Sequence, residues 1–150
     1  MMEHTETAPV LACPMKGGSR EIPRIVNNLI SSEGLSAVPG GPTPEMLEIL
    51  ALALNEVLHS IHEFAGHQTA ADDASVELWI EESLVIICAK FHGKPLPDWL
   101  LTNWDRGQEP AILAPTSDIG WGWLLVREAL DNVSHVWSGS QQILFLERRI

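Results

Sequence analysis

The amino-acid sequence predicts an α+β domain: a two-layer α/β sandwich with a mixed, mostly antiparallel sheet and helices on one face. Three observations predict it. β-rich runs come in neighbouring pairs, at 76–90 and again over the last residues of the chain, as hairpins require. Helical runs at 19–34 and 43–66 lie between the strands, and a third precedes the last pair. The chain has 150 residues and is 45% hydrophobic, enough to bury roughly two-thirds of its unfolded surface around one core.

Each element has a local reason. "PVLACPM", 9–15, reads as a first strand. "SREIPRIVNNLISSEGL" follows with Ile22, Ile25, Val26, Leu29 and Ile30 at helical spacing. Ser19 is its expected cap, Pro23 falls in its first turn, and Gly34 is placed to stop it. After the Gly/Pro connector "SAVPGGPTP", Thr43 caps and Pro44 opens a long helix that closes near Gly66. Its centre is apolar nearly all round, so it is expected deep in the domain. "SVELWIEESLVIICAKF" reads as a hairpin turning around Glu81, Glu82 and Ser83, and its second strand, Leu84 to Ala89, is apolar enough to be covered on both faces. A long irregular stretch, 93–117, contains Pro95, Pro97, Pro110 and Pro115. "SDIGWGWLLVREALDNV" then places Gly120 and Gly122 just ahead of an amphipathic helix. "HVWSG" and "QQILFLERRI" close the chain as two strands. Residues 1–7 are expected to be a disordered tail and 8–150 the domain.

Composition narrows the class of function. The formal net charge is −11, from 20 acids against 9 bases, and the one basic cluster is Arg148 with Arg149. Phosphate backbones are held by Lys and Arg, so no nucleic acid and no anionic membrane is expected as a partner; a basic protein is compatible. No apolar run approaches the roughly 20 residues of a membrane span, and "MMEHTETAPVLACP" has no signal-peptide character. A cytoplasmic protein is expected, with Cys13 and Cys88 as buried reduced thiols.

Other chemistry is poorly supported. "HSIHEFAGH" offers His59, His62, Glu63 and His67, but it is neither the zinc helix His-Glu-x-x-His nor half of a completed di-metal motif. No strand-to-helix serine elbow is present for a hydrolase. Glu77, Glu81 and Glu82 read as a solvated hairpin face. Trp79, Trp123 and Trp137 are expected in the core, and Trp99 and Trp104 in the long loop.

The element order, "ALNEVLHSIHEFA" in the long helix, "GWGWLLVREALDNV" after a long loop and the closing "LDNVSHVWSGSQQILFLERRI" resemble the histidine-kinase-like ATPase domain, and within it the anti-sigma-factor serine/threonine kinases. The resemblance implies a nucleotide pocket. Glu56 matches the acid that activates the nucleophile. Ser60, four residues on, stands where the family has its magnesium-binding Asn, and Phe64 where a His often follows. Phe91 replaces the Asp that accepts the adenine amino group; Gly93 matches the first glycine of that motif and Pro95 replaces the second. His92 or Asp118 is the substitute acceptor the sequence offers, and Gly120 and Gly122 match the phosphate loop.

With the adenine acceptor and the magnesium amide replaced, ATP and Mg2+ are expected to bind weakly or not at all. Phe91→Asp would then tighten ATP, and adding Ser60→Asn would restore magnesium dependence. The resemblance further implies a partner-switching regulator of transcription that binds a sigma factor or a small antagonist protein of the anti-anti-sigma type, that phosphorylates a Ser or Thr of the antagonist from Mg-ATP with Glu56 as base, and that forms a homodimer. The alternative is a pseudokinase binding module on the same fold. The loop at 95–117 lies over the pocket in the family; here Trp99, Leu100, Leu101 and Trp104 are expected either to plug that pocket or to dock a partner.

Overall fold

The computed structural model describes residues 8–15, 18–38, 40–66, 74–97 and 118–150, with the backbone alone for residues 118–122 and 124. Its elements, in chain order, are β1 (Leu11–Pro14), a 3-10 turn (Gly18–Glu21), α1 (Ile22–Ile30), α2 (Glu33–Ser36), α3 (Pro44–Ala65), β2 (Ser75–Glu81), β3 (Leu84–Phe91), α4 (Asp118–Ala129), β4 (Asn132–Ser138) and β5 (Gln141–Arg149). The strands form one sheet in the order β1-β2-β3-β5-β4. Each described pairing is antiparallel.

The helix boundaries show which local signals act. The long helix α3 starts and stops as its sequence predicts: Thr43 Oγ1 accepts from the Met46 N–H at 3.1 Å, Pro44 opens the first turn, and Gly66 ends it at φ +89°. Around α1 two expectations fail. Its N-cap is Glu21 rather than Ser19, because Ser19 is taken into the 3-10 turn. The helix ends at Ile30, four residues before Gly34, and Ser32 instead caps the separate short helix α2 through the Gly34 N–H. Gly34 is needed for space: a Cβ there would run into the Val10 side chain.

One face of the sheet carries the core. Val76, Leu78, Val85, Ile87, Ala89, Leu144 and Leu146 point inward against Leu50, Leu54, Val57, Leu58 and Ile61 of α3 and Val126 of α4, all buried. Burial of this apolar area is the main force holding helices to sheet. Because side chains alternate along a strand, the other face presents Trp79, Ile86, Ile143 and Phe145, each half-buried. The expectation that β3 is covered on both faces is therefore corrected: Leu84 and Ile86 lie on the outer face, where no described helix packs.

Two further expectations change. The apolar circumference of α3 does not bury it all round, since Ile49 is 43% and Leu52 51% exposed. Of the three tryptophans expected in the core, Trp123 is buried, Trp79 is half-buried and Trp137 is 49% exposed at the sheet edge. Cys13 and Cys88 are free and buried. Among the described residues no helix is long and apolar enough to cross a membrane.

Candidate functional site

The residues singled out by sequence fall at two junctions. The first lies between α3 and α4. Glu56 and Ser60 are one turn apart on α3, Glu56 half-buried and Ser60 1% exposed. The Ser60 hydroxyl donates to the Glu56 carbonyl oxygen at 2.8 Å and accepts from the Trp123 indole N–H at 2.7 Å. Trp123, on α4, is itself buried. A buried hydroxyl with both a donor and an acceptor partner is satisfied where it stands.

Gly120 and Gly122 do not form a loop ahead of a helix. Helix α4 begins at Asp118, so both glycines lie inside its first turns. In a helix the backbone N–H groups run along the axis and, past the first turn, bond to the preceding turn. The side chain of Asp118, one of the two substitute acceptors the sequence offers, lies outside the described residues, as do residues 98–117 with Trp99, Leu100, Leu101 and Trp104.

The second junction is the exit of β3. Phe91 is fully buried, with its cross-strand partner Gln142 equally so. The chain then turns at Gly93 with φ +127°, a conformation L side chains rarely adopt, and a Cβ there would collide with the Ala65 carbonyl oxygen at the end of α3. That same carbonyl accepts from the Lys94 N–H at 3.1 Å. Gln142 holds the exit from the other side: its Nε2 donates to the carbonyls of Gly93 at 3.2 Å and Lys94 at 2.9 Å. Its Oε1 lies 3.0 Å from His135 Nε2. His92 turns away to Ser140, with Nδ1 3.3 Å from the Ser140 carbonyl.

Gln142 and Trp123 are the two residues here that sequence reasoning gave no role in a site. A signal for Gln142 was present: in "QQILFL" it occupies the inward register of Leu144 and Leu146, and a polar group at an inward strand position needs a buried partner. Trp123 carried no comparable signal, because its partner is 63 residues away.

Electrostatics elsewhere serve the fold. Arg148 Nη1 donates to the Ala129 carbonyl at 3.1 Å, a cation at the C-terminal end of α4. Glu77 takes the Trp79 indole N–H at 3.0 Å and the Lys90 ammonium at 3.2 Å on the outer face. Burial, reinforced by Glu77, pushes the nearby Cys88 thiol up to about 11, and burial also raises Cys13. A cavity of about 590 Å³ between β1, α1 and α2, lined by Cys13, Arg24, Asn28 and Ser32, contains none of the predicted site residues. Among the described residues no group of three His, Cys, Asp or Glu side chains is arranged to hold a metal ion.

No family model matches the chain, and no curated protein matches it. Among solved structures it is similar to the catalytic domain of the histidine kinase ThkA in two nucleotide-free crystal forms. The identities are 12% and 9% and the TM-scores 0.47 and 0.45, each over 93% of this chain and 94% of that chain.

Proposed function

We propose that the protein is a regulatory binding module on a histidine-kinase-like ATPase fold, of the anti-sigma-factor kinase type, that works by holding a protein partner without Mg-ATP. The observation that carries the reading is the hydrogen bond from Trp123 to Ser60. If Ser60 stands where that family places its magnesium-binding amide, its hydroxyl is already committed to the core at 1% exposure. The hydroxyl keeps one further lone pair, but at 1% exposure a hydrated metal reaches it only by opening the α3–α4 junction, and an indole N–H left unpaired there costs about 1–3 kcal/mol.

Phe91 supports the same reading. At the adenine-acceptor position it is apolar and fully buried, and the amide across the strand from it, Gln142, is spent on Gly93, Lys94 and His135. Gly120 and Gly122 lie inside α4 rather than ahead of it, which departs from the glycine loop that the resemblance implies. The residues present do not fit Mg-ATP, and no catalytic step is assigned to Glu56. The acidic charge of −11 suits a basic protein partner, and a sigma factor or a small antagonist is the partner class the sequence resemblance offers.

Calorimetric titration with Mg-ATP tests the reading. The expected result is no heat of binding up to millimolar nucleotide. A micromolar dissociation constant that depends on magnesium would overturn it.

A further inference from the structure

The inner face of the sheet is covered by α3 and α4, and no described helix packs on the outer one. The antiparallel pairings set the outer side chains in rows across the strands. One row runs Trp79, Ile86, Glu147 and the next Glu77, Cys88, Phe145. Ile143 follows, opposite Lys90. The apolar members, from Trp79 to Ile143, line a depression of about 390 Å³. Its charges are unequal: Glu77, Glu81 and Glu147 stand around it against the ammonium of Lys90.

Lys90 is already matched, with its ammonium 3.2 Å from the Glu77 carboxylate. Glu147 is not. It is half-buried opposite Ile86 and Asn132, and its carboxylate has no hydrogen bond or ion pair among the described residues. Its charge reaches the floor of the depression, where it adds to burial and Glu77 in raising the Cys88 thiol. A carboxylate partly withdrawn from water gains most from a cation brought beside it, because the local dielectric is low.

We propose that this outer face is the docking surface for a basic amphipathic helix of a protein partner, with its apolar stripe on Ile86, Phe145 and Ile143 and a Lys or Arg set against Glu147. The inference rests on the protein-binding reading above and names its surface. A helix is the element that closes an open sheet face in a layered α/β domain. From Leu84 to Lys90 the face runs about 20 Å along β3, the length of about 13 helical residues. Charge selects the sign of the occupant. A second copy would bring the same excess of carboxylates, in a chain of net charge −11, and an anionic membrane would meet Glu77, Glu81 and Glu147.

The test is calorimetric titration of the full chain with a synthetic helical peptide of about 14 residues, Leu on one face and Lys on the other. It should bind at micromolar concentration, and versions with Glu for Lys or Ser for Leu should bind at least about tenfold more weakly. Glu147→Lys should weaken the Leu/Lys peptide at least about tenfold, whereas Glu63→Lys, at an exposed acid of α3, makes the same change of charge elsewhere and should leave affinity within about twofold. Ile143→Glu, with its fold checked by circular dichroism, should weaken binding although it adds an acid. No binding of the Leu/Lys peptide overturns the proposal. So does an equal loss in Glu147→Lys and Glu63→Lys, which would mean attraction to the net charge alone, or a dimer by sedimentation that Ile143→Glu dissolves, which would give the face to a second copy. Mg-ATP binding at micromolar concentration would sink the nucleotide-free reading without moving any of these results.

Discussion

The indole N–H of Trp123 on α4 and the hydroxyl of Ser60 on α3 are joined by a 2.7 Å hydrogen bond with both residues buried. Ser60→Ala would leave the indole N–H unpaired and should cost about 1–3 kcal/mol, while Trp123→Phe removes the donor and some packing. In a double-mutant cycle followed by urea denaturation the two changes should couple by about 1 kcal/mol or more. Additive effects would mean that the bond contributes nothing to stability. Ser60→Asn, which the sequence resemblance suggests as a gain of magnesium binding, should instead overpack this junction and destabilise by about 1–3 kcal/mol.

Phe91 changes an expectation in the same way. On sequence grounds Phe91→Asp should tighten ATP. A carboxylate placed at this fully buried position opposite Gln142 would lose its hydration, and loss of the ring adds about 3–5 kcal/mol. The expected outcome is a chain largely unfolded by circular dichroism at neutral pH. A folded variant with enhanced ATP affinity would restore the nucleotide-site interpretation of this position.

Gly93 should tolerate no side chain. Gly93→Ala combines a φ of +127° with a collision against the Ala65 carbonyl, and a loss of roughly 2 kcal/mol or more is expected from the strained backbone alone. Gly139→Ala makes the control: it also has positive φ, at +64°, but open space around its Cβ position, so its cost should be smaller. Thermal melts of the two variants compare them directly.

Cys88 supplies a pH test. Its thiol is raised from 9.0 to about 11 by burial first and by Glu77 second. A pKa raised in the folded state means that the native protein holds its proton more tightly than the unfolded chain. The stabilisation is therefore complete below pH 9 and lost as pH rises towards about 11. Unfolding free energy should fall across that window, and Cys88→Ala should flatten the fall. At pH 8 alkylation of the native thiol should be far slower than in urea.

Much of this architecture was legible without coordinates because its causes are local. Thr43, Pro44 and Gly66 mark the ends of α3 through contacts within one turn, and the Glu82 turn at φ +55° joins two strands whose alternation is written in consecutive residues. Hydrophobic periodicity likewise separated the long helix from the two hairpins.

The candidate site was legible only as a set of positions. Glu56 and Ser60 share a helix face by spacing alone, yet what Ser60 does depends on Trp123, 63 residues away. Gln142 grips Gly93 and Lys94 from a strand 49 and 48 residues distant, and Gly93 is dictated by the carbonyl of Ala65 on another element. Strand order left Trp137 on the outermost strand of the described sheet, 49% exposed, although its composition suited a core. The amino-acid sequence by itself determined the order of the strands and of the main helices, since this follows from backbone propensity and periodicity, but not the split between α1 and α2, the start of α4 or the uncovered face of β3. Only the tertiary structure decided which polar groups are already satisfied and which apolar groups remain uncovered, because a hydrogen bond or a buried area belongs to two segments at once.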